Sequence, residues 1–423
     1  MPRVPAFPAL LLGCLASAVP GVAAQDAAAV FARYSGAVAK IEVLEARTAT
    51  PESVGTAFFV SPNLAVTNFH VVRGFVFGPS TSIVQLAFQG GATTRDLRIV
   101  AVDPVQDLAI IDVATPHAEH LELASGNAVV GETLFSLGHP ADLSTSVVQG
   151  TFNGAVEHSA APRFHFTGSI NPGMSGGPTV TAGGTVVGVN VSTAGNQLSF
   201  LIPASSVAPL VDEARLAAGA AISVEEDIGA RLYAFQAGFF DRLLGAPLPT
   251  TTIGSLAIPI GPDALFDCSA SPYDIEEDRY QVIEHTCYTN DEIMLGPEDT
   301  YPVAYLEHMY VSAEDMGRAR FSALYNSWFQ TLASWEVPQN DEATDYLCRQ
   351  SNAAANAGGK LRLVYCLRRH ARFEELYDVF IRTALLTDAA EGTVGTFRAF
   401  AISFENSTRL LERMVEGYRW PTR

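Results

Sequence analysis

The chain runs to 423 residues, 48% of them hydrophobic, with 45 acidic against 26 basic side chains and a formal charge of -19. The hydrophobic share excludes a largely disordered chain, and the length predicts two or three domains, each able to bury a core. The charge excludes nucleic acid and anionic membrane surfaces as natural partners, because both attract basic patches.

Residues 1–24 read as an export signal. Arg3 supplies the charged start, residues 4–19 are rich in Ala, Leu and Val, and Val22-Ala23-Ala24 offers a small-residue cleavage site before Gln25. Leu11-Leu12-Gly13-Cys14 supports a second reading, a lipid anchor through Cys14. Against it stand a short apolar run and the interruptions at Pro5 and Pro8. No later stretch approaches the run of about 18 apolar residues that a spanning helix needs. The mature chain is therefore expected outside the cytoplasm, periplasmic or secreted.

From about residue 30 to 203 the chain is predicted to form short strands. The segments 54–60, 83–88, 97–102, 108–113, 133–137, 147–156, 185–191 and 198–202 are rich in Val, Ile, Phe and Thr, with Gly, Pro and Asn between them. So many short strands predict a pair of barrels or a sandwich. Residues 219–226 read as a linker after a helical tail.

Residues 227–423 change character. Ile228, Leu232, Phe235, Phe239 and Leu243 recur at helical spacing, as do Phe321, Leu324, Trp328, Leu332 and Trp335. A third stripe takes in Phe397, Phe400, Phe404, Leu411 and Met414 or Val415. The expectation is a mostly α-helical C-terminal domain, α or α+β, with an irregular or β segment around residues 262–301. The aromatic stripes are read as core. Residues 263–299 carry eleven acidic side chains against Arg279 alone. They lack the spaced Asp-x-Asp-x-Asp-Gly loop of a calcium site, so they read as a solvated acidic face.

Cys14 aside, the cysteines are Cys268, Cys287, Cys348 and Cys366. An even number in an exported chain predicts disulfides, with three pairings open. Cys268 with Cys287 and Cys348 with Cys366 is the expected pattern, because each bond closes a short loop. No zinc-type spacing accompanies them, and neither a metal nor a cofactor is expected.

Three segments carry the chemistry. The first is Gly55-Thr56-Ala57-Phe58-Phe59-Val60, a turn at Pro62-Asn63, and a strand running through Thr67-Asn68-Phe69 to His70. The second is Gln106-Asp107-Leu108-Ala109-Ile110-Ile111, an aspartate at the mouth of an apolar strand. The third is Asn171-Pro172-Gly173-Met174-Ser175-Gly176-Gly177-Pro178. A serine hydroxyl is a weak nucleophile and needs a base within hydrogen-bond reach. Histidine titrates near neutrality and can take that proton and return it to the leaving amine. A buried carboxylate fixes the imidazole tautomer. Glycines around the serine let N–H groups, those of Gly173 and Ser175, converge on a developing oxyanion. Asp103 and Asp112 compete with Asp107 for the carboxylate role.

These blocks resemble the chymotrypsin/trypsin-like serine peptidases, closest to the HtrA/Deg branch, over about residues 30–218. The matching pieces are Thr-Asn-x-His-Val-Val, Asp-Leu-Ala and Ile-Asn-Pro-Gly-x-Ser-Gly-Gly-Pro, with Val187-Gly188-Val189-Asn190 and Phe200-Leu201-Ile202-Pro203 after them. Met174 stands where this branch usually carries Asn, a position that contributes backbone. The resemblance implies a trypsin-like domain over residues 25–218, built as two six-stranded β-barrels. The triad His70, Asp107 and Ser175 would lie between them. It also implies a primary substrate pocket with Ser169 near its base and Val191, Ser192 and Thr193 along one wall. No carboxylate stands there, so cleavage after small or medium apolar residues is expected rather than after Lys or Arg. His165 is the one further histidine with an expected bearing on specificity. Residues 117, 120, 139, 158, 285, 308 and 370 are read as ordinary surface or loop histidines.

The branch usually adds a peptide-binding PDZ module, and no PDZ pattern follows residue 218. The expected function is a serine endopeptidase acting on protein or peptide substrates, its C-terminal domain recruiting a partner or regulating access. The alternative is a catalytically silent protease-fold binding or sensing protein.

Overall fold

The computed structural model describes residues 27–157, 159, 161–217, 224–275, 280–289, 292–294, 296, 300–313, 316–331, 343–354, 360–386 and 390–419. The segment expected as an export signal, Cys14, His158, Arg279, Leu332, Trp335 and residues 219–223 of the expected linker lie outside the described residues.

A helix, α1 (Ala27–Tyr34), leads into the first sheet. Its seven strands are β1 (Val38–Glu45), β2 (Pro51–Phe59), β3 (Leu64–Thr67), β4 (Ser82–Ala87), β5 (Thr93–Thr94), β6 (Leu97–Asp103) and β7 (Leu108–Val113). They pair antiparallel in the order β5-β4-β1-β2-β3-β7-β6. In β4 buried and half-buried residues alternate, as expected of a strand with one face on a core. In β3 all four residues are buried, so its sequence is a continuous apolar run. The second set is β8 (Thr133–Gly138), β9 (Ser146–Ala155), β10 (Phe164–Phe166), β11 (Pro178–Val180), β12 (Val186–Thr193) and β13 (Ser199–Pro203). These close into a barrel in the order β10-β13-β12-β11-β8-β9.

Every predicted strand of this half has a counterpart. Two details differ. The first sheet has seven strands rather than six, the extra one being the two-residue β5 at its edge. The strand of the histidine block stops at Thr67, and His70 is the second residue of a helix, α2 (Phe69–Phe77). A further helix, α3 (Ala204–Leu216), follows the barrel.

The C-terminal half departs from expectation. The first predicted helix is present as α4 (Val224–Leu244). A hairpin follows, β14 (Thr250–Ile253) and β15 (Leu256–Pro259), turning at Gly254 with φ +57°. Seven strands then form one antiparallel sheet: β16 (Asp267–Ile275), β17 (Tyr280–Tyr288), β20 (Ala304–Ser312), β21 (Leu347–Ala354), β22 (Lys360–Arg369), β23 (Tyr377–Leu386) and β24 (Glu391–Ile402). Their order is β16-β17-β20-β24-β23-β22-β21. A small hairpin, β18 (Glu292–Met294) with β19 (Thr300–Pro302), and two helices, α5 (Arg318–Thr331) and α6 (Phe404–Gly417), complete it. The predicted mostly helical domain at residues 227–423 is thus corrected to mostly strands. The third stripe misled because β24 is buried on both faces over most of its length. Such a strand loses its two-residue alternation, and Phe397 and Phe400 fall at helical spacing on it. Only the part of the stripe in α6 is helical.

Both expected disulfides are present. Cys268 lies opposite Cys287 in the β16–β17 register, and Cys348 opposite Cys366 in β21–β22, with Cα separations of 4.1 and 4.0 Å. Each bond ties an edge strand of the sheet to its neighbour, where pairing is otherwise weakest.

One apolar core runs across both halves. Val71, Val72 and Phe77 of α2 belong to the same buried cluster as Ile228, Leu232 and Phe239 of α4 and Leu306, Phe397 and Leu410 of the C-terminal half. Among the described residues no helix is long and apolar enough to cross a membrane.

Candidate active site

Asp107 follows β6 and a short turn. The Asp103 carboxylate accepts the N–H groups of Val105 and Gln106 at 3.0 and 2.9 Å, which folds residues 103–106 tightly. Asp107 itself adopts φ +63°, an uncommon conformation for a residue with a side chain. Its carbonyl accepts Asn68 Nδ2 at 2.7 Å. The carboxylate is then used twice: Oδ1 accepts the backbone N–H of His70 at 2.8 Å, and Oδ2 lies 2.6 Å from the His70 ring at Nδ1. Asp107 is buried, with 3% exposure, while the His70 side chain keeps 30%. The other two aspartates of this stretch do different work, Asp103 in the turn and Asp112 in a surface pair with Arg98 at 2.6 Å.

Burial acts to lower the His70 pKa. The charge and hydrogen bond of Asp107 outweigh it, against a smaller opposing effect of Arg73, and the pKa rises above its ordinary value of 6.5. With Nδ1 held by a carboxylate, Nε2 is the nitrogen left to exchange a proton with a substrate or nucleophile.

The serine segment is held by its carbonyls. Pro172 O accepts from Ala141 N at 2.8 Å, and Met174 O accepts from Gly177 N at 3.0 Å and Asn190 Nδ2 at 3.1 Å. The described chain has no cis peptide bond, and in a trans peptide the N–H points away from its carbonyl. Fixing these two carbonyls therefore fixes the N–H groups of Gly173 and Ser175, which donate to no described protein group. Gly173 has φ +93°, and a Cβ there would sit 2.3 Å from His139 O, so the position requires glycine. The Ser175 hydroxyl donates to Val191 O at 3.4 Å rather than to the His70 ring.

Residues 55–189 match the family model described as the trypsin-like peptidase domain. The matched stretch is about a third of the chain. Among curated proteins, "Protease Do-like 1, chloroplastic" of Arabidopsis thaliana is 30% identical over 190 residues, which is 41% of this chain and 41% of that protein. "Serine protease HTRA1A" of Danio rerio is 29% identical, over 49% of this chain and 45% of its own length. "Probable periplasmic serine endoprotease DegP-like" of Brucella suis is 30% identical, over 38% of this chain and 33% of its own. The chain thus spans less than half the length of these relatives, and the matches agree with the resemblance to HtrA/Deg serine proteases.

Of the expected pocket residues, Val191 meets the serine through its carbonyl. Ser169 is exposed between β10 and β11. Val191 is half-buried beside Ser175, and Ser192 and Thr193 are exposed at the end of β12. His165 pairs with Phe200 across β10–β13, and its Nε2 is buried without a hydrogen-bond partner among the described residues.

Three supporting residues lacked any expected role. Thr56 is fully buried; its Oγ1 donates to Gly173 O at 2.7 Å and accepts His139 N at 3.0 Å, and its own N–H donates to Ser175 O at 2.8 Å. Asn190 accepts from Ser136 and Thr179 and donates to Met174 O and Leu137 O. His139 is no surface residue. Its ring meets Thr145 at 2.9 Å, and burial lowers its pKa to about 4, so it is neutral at pH 7. His308 and His370 are likewise buried in the C-terminal sheet rather than exposed. Thr56, inside the first of the three segments, and Asn190, inside a matched block, stood in the sequence pattern without an assigned role; His139 carried no signal.

Proposed function

We propose that this protein is a serine endopeptidase that hydrolyses protein substrates through an acyl-enzyme on Ser175. His70 acts as general base and then acid, and Asp107 orients its ring. The observation that carries this reading is the two-point grip of the Asp107 carboxylate on the backbone and ring of His70. It sets the imidazole tautomer and favours the imidazolium that forms as Ser175 attacks. The tetrahedral oxyanion would be received by the N–H groups of Gly173 and Ser175, which have no other partner among the described residues. The rotation of Ser175 Oγ from Val191 O toward His70 then belongs to substrate binding, since such contacts tighten in the Michaelis complex.

Cleavage after small or medium apolar side chains follows from the absence of a carboxylate among Ser169, Val191, Ser192 and Thr193. An exported location agrees with the two disulfides and with the DegP-like relative's printed description as periplasmic.

A fluorophosphonate probe tests the reading. The folded wild type should be labelled, and Ser175→Ala should not. Absence of label on the wild type, with and without added peptide, would sink it in favour of a silent binding protein.

A further inference from the structure

Two segments deliver the dyad: α2 carries His70, and the 103–107 turn carries Asp107. The C-terminal half touches both. Arg73, one turn along α2 from His70, donates to Thr300 Oγ1 at 2.9 Å. Arg372 lies over the ring of Phe77, at the end of the same helix, 5.2 Å from its centroid. On the other segment stands Arg231 of α4. Its Nη1 is 3.6 Å from Asp103 Oδ2, its Nη2 pairs with Glu213 of α3, and its Nε bonds Asp227 at 3.2 Å.

Asp103 is the carboxylate whose other oxygen holds the N–H groups of Val105 and Gln106. We propose that Arg231 is a positioning residue for the dyad: through Asp103 it braces the turn that sets Asp107 beneath His70. The assignment of the dyad rests on the peptidase reading above. The brace itself is a statement about geometry and stands on the contacts.

The chemistry favours that role. Asp103 is exposed by less than a fifth, and burial raises its pKa, opposed by the N–H of Gln106, by Arg231 and by the N–H of Val105. The facing charges are Arg231, which favours the carboxylate, and Asp227, which disfavours it. Losing Arg231 leaves Asp103 beside Asp227 with no guanidinium. A carboxylate more easily protonated is a poorer acceptor for the turn. Asp107 sits at φ +63°, a conformation the turn and Asn68 must hold in place. A small displacement there lengthens the 2.6 Å contact to His70, and misplacements of about 1 Å can cost on the order of a hundredfold in rate.

The test uses the full chain with Arg231→Gln, Arg231→Lys, Asp103→Asn and, as a control on the same helix, Asp241→Asn, which removes the charge paired with Arg409. Arg231→Gln should lower kcat about tenfold or more with KM unchanged. Arg231→Lys should restore most of that loss, and Asp241→Asn should match wild type. Asp103→Asn should give a similar loss, and adding Arg231→Gln to it should cost little more, since the two act in series. NMR titration of the His70 ring gives a readout that needs no turnover. Its midpoint should fall by about one unit in Arg231→Gln, as the Asp107 charge moves away.

A fully labelled, fully active Arg231→Gln with an unchanged His70 midpoint would overturn the brace and leave the peptidase reading standing. An unlabelled wild type would remove the peptidase reading, and the titration would still decide the brace. If Arg231→Gln does not fold, Asp103→Asn, which keeps the packing of Arg231, decides in its place.

Discussion

Replacing Thr56 by valine probes the cleft without touching any reacting group. The substitution keeps shape and removes one oxygen that serves two backbone groups, the carbonyl of Gly173 and the N–H of His139. The His139 N–H loses its partner in a buried site and the Gly173 carbonyl in a half-buried one, at roughly 1–3 kcal/mol for the first and about 1 for the second, so stability should fall by about 2–4 kcal/mol. The Gly173 carbonyl belongs to the peptide next to the N–H groups assigned to the oxyanion, and freeing it loosens both. Deleting one such donor outright costs about 10²–10³ in kcat in comparable sites. A loosened loop should cost less, about 10- to 100-fold, with KM nearly constant because the loss is felt in the transition state. Steady-state kinetics on an extended peptide, paired with thermal denaturation, measure both quantities. Thr56→Ser should retain most of each. Thr56→Val with wild-type kcat and wild-type stability would refute the reasoning, since it would mean that neither contact bears on the loop.

Four further outcomes follow from the structure. Asp107→Asn should lower kcat by about 10³–10⁴ by presenting the wrong tautomer at His70, measured on the same peptide. Activity should rise with pH through a midpoint above 6.5, because His70 must be neutral to accept a proton and its pKa is raised. The linked stability runs the other way: the His70–Asp107 pair contributes fully below the unfolded value and is lost as pH climbs through the raised one. His308, buried and lowered to about 3, has the opposite sign. The unfolded chain binds the extra proton between about 3 and 6.5, so stability should fall as pH drops through that window, and His308→Gln should flatten the dependence in urea unfolding.

The N-terminal half was legible because the resemblance there rests on restricted residue types in short, ordered blocks. A serine between glycines, a histidine after a buried strand and an aspartate before Leu108 leave few alternatives. Asp107 was separated from Asp103 and Asp112 by the Asp-Leu-Ala block of the resemblance, since all three lie on one short stretch and spacing alone does not choose between them. The roles of Thr56 and Arg231 were invisible for another reason. Thr56 meets Gly173 across 117 positions of chain, and Arg231 reaches back from α4 to a turn between β6 and β7. Neither contact leaves a local pattern. The C-terminal half was misread where burial on both faces erased the alternation that marks a strand, as in β24. The cysteines there were read correctly because a bond between neighbouring antiparallel strands needs only nearby partners.

The strand order of the C-terminal sheet bears on when the protein becomes complete. Its central strand, β24, is the last of its strands in the sequence, flanked by β20 on one side and β23 on the other. During synthesis or export from the N-terminus, β16 to β23 emerge without the strand that joins their two groups. The chain must be delivered as far as residue 402 before that sheet can close and cover the shared core. A nascent chain caught in transit therefore holds all of Ser175, His70 and Asp107 but not the wall that supports them. Ribosome- or translocon-stalled chains ending before residue 391 should be readily degraded, and protection should arrive abruptly once β24 is free.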